Sequence, residues 1–220
     1  MRAFPGVALA YVIMAIPAVS WANIYGCSGW AEGRNGGRLD VRVSEEAVAG
    51  WNHAEWTPPH SGGGGLALEL VYGVHAGHLS DLRRVWISGD VEREAIDTDG
   101  RVTISAGAGK SWRTRWRVDS AIDVRTSKQT KSVTAVVAST RPNYPGERLI
   151  HPERMAVIEG ARSLAVTFAD RPGTTTFSGA TYDLSALQER DQLFELAHAR
   201  AWRALRDGCP RAETTCRCGG

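Results

Sequence analysis

The densest run of chemically capable side chains lies between Ser105 and Asp119, SAGAGKSWRTRWRVD. Gly109-Lys110-Ser111 matches the end of a phosphate-cradling loop. Such a loop also needs a glycine five residues ahead of the triplet, so that consecutive backbone N–H groups wrap the anion. That position holds Ile104, and the loop is too short. A nucleotide site of this kind is excluded. Past the triplet, Trp112, Thr114, Trp116 and Val118 alternate with Arg113, Arg115, Arg117 and Asp119. A period of two predicts a strand, with one face carrying the indoles and the other the guanidinium groups. Guanidinium forks match phosphate and carboxylate oxygens two at a time, so Arg113, Arg115 and Arg117 are candidate anion-binding residues. Trp112 and Trp116 join the candidate ligand set if they are exposed for stacking, although alternating aromatics are usually core. The alternative for the arginines is neutralisation by acids on a neighbouring strand.

Two histidines come next. His75 and His78, in VHAGH, stand three apart, a spacing that could serve two ligands of a zinc site on a helical turn. A third ligand would have to arrive through folding, and no His-Glu-x-x-His pattern is present. A metal-dependent hydrolase is therefore one alternative. Nucleophile motifs are lacking: no Gly-x-Ser-x-Gly elbow occurs, and no other residues are assigned a catalytic role. The sequence implies no cofactor.

The four cysteines are Cys27, Cys209, Cys216 and Cys218. In an oxidising compartment an even count favours disulfides over zinc. Pairing Cys27 with Cys209 would join the start of the domain to the end of its last helix. Cys216 and Cys218, in TTCRCGG, then belong to a tail read as frayed, with a thiol-redox role as a second alternative.

The compartment is suggested by residues 1–22. Arg2 precedes an apolar stretch from Val7 to Val19, and Ser20-Trp21-Ala22 supplies small residues for cleavage near Ala22. The apolar core falls short of the ~20 residues a spanning helix needs, so the expectation is an exported protein, periplasmic or extracellular, with no transmembrane segment in the mature chain. Lipidation of Cys27 is the competing expectation. Across 220 residues the net charge is only +2, too small to argue for nucleic acid.

These residues must be held by a β-rich body. RLDVRV (Arg38–Val43) alternates as a strand, while the Gly-rich lead GCSGWAEGRNGG reads as loop, and SEEAVAG as a short helix or turn. TPPHSGGGG reads as a connector closing an N-terminal segment, residues 23–65. The main domain, 66–209, opens with LALELVYGV, which puts Leu66, Leu68, Leu70, Tyr72 and Val74 on one face. Short strands follow: RRVWISGDVEREAI, RVTIS, SWRTRWRVD, AIDVRTS and KSVTAVVAS, then a helix PERMAVIEG with Pro152 in its first turn, and a final hairpin. The last helix runs from a Ser185–Gln188 capping box toward Gly208, with Leu187, Phe194, Ala201 and Leu205 on one face and Trp202 beside it. Residues 210–220 form a flexible tail. The expected class is α+β, mainly an antiparallel sheet or sandwich, with a long C-terminal helix packed on one face. The function that fits is a non-enzymatic binding or accessory protein of the bacterial envelope. It would contact a protein partner or an anionic surface component through the Arg face.

Overall fold

The computed structural model describes residues 25–44, 52–61, 65–91, 99–107, 109–123, 128–140, 152–169, 179–207 and 214–218. Among these residues twelve strands form one antiparallel sheet: β1 (Tyr25–Glu32), β2 (Arg38–Ser44), β3 (His53–Thr57), β4 (His60–Ser61), β5 (Ala67–His75), β6 (His78–Val91), β7 (Asp99–Ala106), β8 (Lys110–Asp123), β9 (Lys128–Ser139), β10 (Ser163–Phe168), β11 (Gly179–Asp183) and β12 (Thr214–Cys218). Helix α1 (Pro152–Glu159) precedes β10. A 3-10 turn (Ser185–Glu189) leads into α2 (Arg190–Asp207). The order across the sheet is β12-β1-β2-β3-β5-β6-β9-β8-β7-β10-β11-β4. The expected class, an antiparallel sheet with a C-terminal helix on it, is what the chain adopts.

That order hides a closure. β3 lies between β2 and β5, whereas β4 pairs with β11 at the far end of the sheet. Only Pro58 and Pro59 separate β3 from β4, and three Cα steps span at most about 11 Å. The strands from β5 round to β11 must therefore curl until both ends reach this corner. Hydrogen bonds seal it: the Asp183 N–H donates to the Pro59 carbonyl (3.2 Å), and the buried Tyr182 hydroxyl donates to the Leu66 carbonyl (3.2 Å). The inside is filled by Trp56, Leu70, Tyr72, Ile104, Trp116 and Leu164, all essentially inaccessible to solvent. Trp116 lies against β7 where Gly100, directly opposite, leaves room. A Cβ there would come within 2.5 Å of the indole.

Several expectations are corrected. The first part of the Gly-rich lead, to Glu32, is a strand, β1, not a loop; only residues 33–37 turn. The inward positions of β1 are Cys27, Gly29 and Ala31, small residues that give no apolar alternation to read. They are small because α2 lies on them. A Cβ on Gly29 would sit 2.5 Å from the Ala197 carbonyl oxygen and 2.6 Å from the Ala201 nitrogen. The TTCRC tail is likewise a strand, β12, paired with β1. AIDVRTS does not begin a strand of its own, because β8 continues through it to Asp123. β3 pairs with β5, so both sides of the Pro-Gly connector share one sheet.

The Ser185 capping box is absent. Asp183 instead accepts the Ser185 N–H (2.9 Å), and the carboxylate is held below its ordinary range chiefly by hydrogen bonding to Ser185. On α2, Leu193, Phe194, Ala197, Ala201, Ala204 and Leu205 face the sheet, whereas Trp202 is exposed. Ser44, expected to cap a short helix or turn, instead ends β2 with its N–H on Asn52 Oδ1 (3.1 Å), and the rest of SEEAVAG (45–50), residues 1–22 and Cys209 lie outside the described residues.

The fit of α2 on β1 makes a direct prediction. Gly29→Ala forces the helix backbone outward, and overpacking of this kind costs about 1–3 kcal/mol. Urea unfolding should show a lowered midpoint, and an unchanged one would mean that α2 is not seated this closely.

Candidate functional site

The outward residues of β7 and β8 form the candidate site. Along β8 the buried or half-buried positions are Trp112, Thr114, Trp116 and Val118, and the exposed ones include Arg113, Arg115 and Arg117. The register places Arg113 opposite Thr103, Arg115 opposite Arg101, and Arg117 opposite Asp99. Among the described side chains, four guanidinium groups thus share a face with two carboxylates, Asp99 and Asp119.

The pairing is uneven. Arg117 Nε meets Asp119 Oδ1 at 3.0 Å, and Thr134 Oγ1 also donates to Asp119. Arg115 Nη1 reaches Asp99 Oδ2 only at 3.9 Å, with both side chains mostly in water (83% and 66% exposed). Arg113 makes no ion pair among the described residues. Arg101 and Arg115 stand directly opposite each other, an arrangement in which like charges repel. Neutralisation by neighbouring acids is therefore incomplete: it is weak at Arg115, and Arg101 and Arg113 make no ion pair among the described residues.

Trp112 and Trp116 do not belong to this face. Trp116 is 2% exposed and edge-on to Phe168 (6.3 Å) inside the sheet. Trp112 is half-buried, its Nε1 donating to the Val137 carbonyl (3.1 Å) and its ring lying under the Arg154 guanidinium (5.5 Å). The two indoles point opposite to the arginines, as strand alternation requires.

A second outward cluster, on β2, β3, β5 and β6, escaped the sequence reading. Arg38 binds Asp40 with two short contacts (2.7 and 2.8 Å) while lying over Trp30 (4.4 Å). Glu55 takes His53 Nε2 at 3.1 Å and Arg42 Nη2 at 3.7 Å. Glu69 accepts from Trp86 Nε1 (2.8 Å), and Arg84 lies over the Trp86 ring (4.9 Å). The hydrogen bond from His53 pulls the Glu55 carboxyl below its ordinary range. Burial pushes Glu69 the other way, only partly offset by Trp86. No motif marks these residues, because only the pairing of Arg42 with His53, and of Glu69 with Trp86, brings them together. Here each carboxylate is matched by a donor within the fold.

His75 and His78 sit opposite each other across the β5–β6 turn, not on a helix. Ala76 and Gly77 between them both have positive φ (49° and 79°), the geometry of a two-residue hairpin turn. His198 of α2 is nearby, but its Nε2 receives the Trp202 N–H (2.7 Å) and its ring stacks on Phe194 (5.1 Å). Burial, then the nearness of His78, lowers its pKa. Among the described residues no three His, Cys, Asp or Glu side chains are grouped to hold a metal.

Cys27 is buried on the α2 side of β1, directly across from Cys216 of β12. No helix among the described residues is long and apolar enough to cross a membrane.

The chain matches no known protein family, no curated protein and no solved structure. Function must therefore be argued from these faces alone.

Glu55 and Glu69 should respond oppositely to pH. Glu55 is depressed on folding. Its contribution is present above the unfolded value near 4.5 and is lost as pH falls through the lower folded value. Glu55→Gln should cost about 1–2 kcal/mol at pH 7, and the deficit should shrink below pH 4. Glu69 is raised, so its ionised form is the less favourable one when folded. Glu69→Gln should be neutral or stabilising at pH 7, a gain that fades in acid. Denaturant titrations at several pH values would reveal parallel slopes if this account is wrong.

Proposed function

We propose that the protein is an exported, non-enzymatic binding module of the bacterial envelope, and that its ligand is anionic and lies along the outward face of β7 and β8. The observation that supports this most is the excess of guanidinium groups there: Arg113 has no ion pair among the described residues, and Arg101 faces Arg115. Mutual repulsion of these groups is relieved when an anion lies between them. Arginine is suited to the task, since its planar fork takes two oxygens of a phosphate or carboxylate and stays charged at any relevant pH. Arg113 and Arg115 are two residues apart on one strand, which sets their spacing at roughly 7 Å. A ligand with repeating phosphate or carboxylate groups, such as an acidic glycan or a surface of anionic head groups, fits that spacing. Export is supported by the charged, apolar and small-residue pattern of residues 1–22.

Neither other reading gains comparable support. His75 and His78 lie on an exposed turn, with no further ligands grouped around them among the described residues.

The test compares wild type with an Arg101→Ala/Arg113→Ala/Arg115→Ala variant. All three residues are exposed, and surface changes of this kind usually alter stability by no more than about 0.5 kcal/mol. The probes are a polyuronate resin and vesicles containing anionic phospholipid. Wild type should bind one of them and be released by salt, with the variant at least about 100-fold weaker, since each charge-assisted contact is worth more than 1 kcal/mol. Equal retention of the two proteins, or retention of neither, overturns the proposal.

A further inference from the structure

We propose that Cys27 and Cys216 are joined by a disulfide across the β1–β12 ladder, and that this bond fixes the outermost strand of the sheet. β12 has one neighbour, β1, and meets it over five residue pairs, from Tyr25↔Cys218 to Gly29↔Thr214. A five-residue edge strand is weakly held by hydrogen bonds alone. Within that ladder Cys27 and Cys216 are direct partners. Opposed residues of antiparallel strands have Cα atoms about 4.5–5.5 Å apart, inside the 4.4–6.8 Å range that a disulfide spans. Cys218 faces Tyr25 instead, one diagonal step from Cys27. That step is about 7–8 Å, beyond what a disulfide bridges without moving backbone.

Cys27 is 2% exposed and is disulfide-bonded, not a free thiol. It lies on the side of β1 that α2 covers, and α2 also touches β12, so helix and bond clamp the same strand pair. Pairing with Cys216 replaces the Cys27–Cys209 pairing expected from chain order and leaves Cys209 and Cys218 as the other two cysteines.

The chemistry is an ordinary exchange. A thiolate of the pair attacks the disulfide of an oxidant, releasing one thiol and forming a mixed disulfide. The second thiolate displaces the other sulfur. The protein loses two protons and two electrons, and the oxidant, an exogenous disulfide, leaves as two thiols. Export would deliver the chain to such oxidants. The pairing does not depend on the Arg face.

Trypsin can assign the partner, because arginines separate the three candidates. Asp207–Arg211 carries Cys209, Ala212–Arg217 carries Cys216, and Cys218–Gly220 carries Cys218. Protein made in an oxidising compartment is alkylated without reduction, digested and examined by mass spectrometry. The expected product is the peptide ending at Arg34 linked to Ala212–Arg217. A link to either other peptide, or an alkylated Cys27, overturns the assignment. In Cys216→Ser, amide exchange over 214–218 should rise at least about tenfold while β5 and β6 remain protected. Unchanged protection of β12 would show that the ladder suffices without the bond.

Discussion

Two prolines between β3 and β4 impose the constraint on which the rest of the structure depends. β3 must pair with β2 and β5, and β4 must pair with β11, yet the chain allows at most about 11 Å between them. A flat sheet of this many strands cannot satisfy both demands. Curling does, and once the sheet curls, the period-two alternation of each strand acquires an inside and an outside. Large apolar residues such as Trp56 and Trp116 then fill the interior, while Asp99, Arg101, Arg113, Arg115 and Arg117 are committed to the outer surface. The buried Tyr182 hydroxyl, satisfied by the Leu66 carbonyl, marks the seam where the two ends meet.

The outer surface is not electrostatically uniform. On β2, β3, β5 and β6 the charges close on one another: Arg38 with Asp40, His53 and Arg42 with Glu55, Trp86 with Glu69. On β7 and β8 they close only in part, because arginine occupies positions 101, 113, 115 and 117 against acids at 99, 119 and the strand end, 123. Arginines are denser on β7 and β8, four on two strands, than on β2, β3, β5 and β6, where β2 and β6 carry two each and β3 and β5 none. The difference also lies in what stands across the ladder: Arg101 faces Arg115, whereas Arg42 faces His53 and Glu69 faces Trp86.

How far such features could be read in advance depended on whether they lived within one strand or between two. The alternation of Leu66, Leu68, Leu70 and Tyr72, and that of Trp and Arg along β8, is local, and it placed core and surface correctly. β1 was not legible, since its inward residues are small for the sake of a helix more than 160 residues later in the chain. β12 was missed because Thr-Thr-Cys-Arg-Cys has a strand-forming character that only a waiting edge can use. The Ser185 cap was misassigned because Asp183, two residues earlier, takes the Ser185 N–H that the Gln188 side chain was expected to reach. The repulsive Arg101–Arg115 pair and the Glu55 cluster are matters of register, which no single strand reveals.

The pairing of β1 with β12 brings Tyr25 and Cys218 face to face. The folded chain is therefore nearly a ring, entered and left at one corner of the sheet. Nothing in the order of the strands requires that the break in the ring fall there. A linker of a few residues joining 218 to 25, with new ends opened in the stretch between β9 and α1, preserves every strand neighbour in the sheet. It also means that any segment attached before β1 and any attached after β12 emerge side by side, so that both tether the body from the same point.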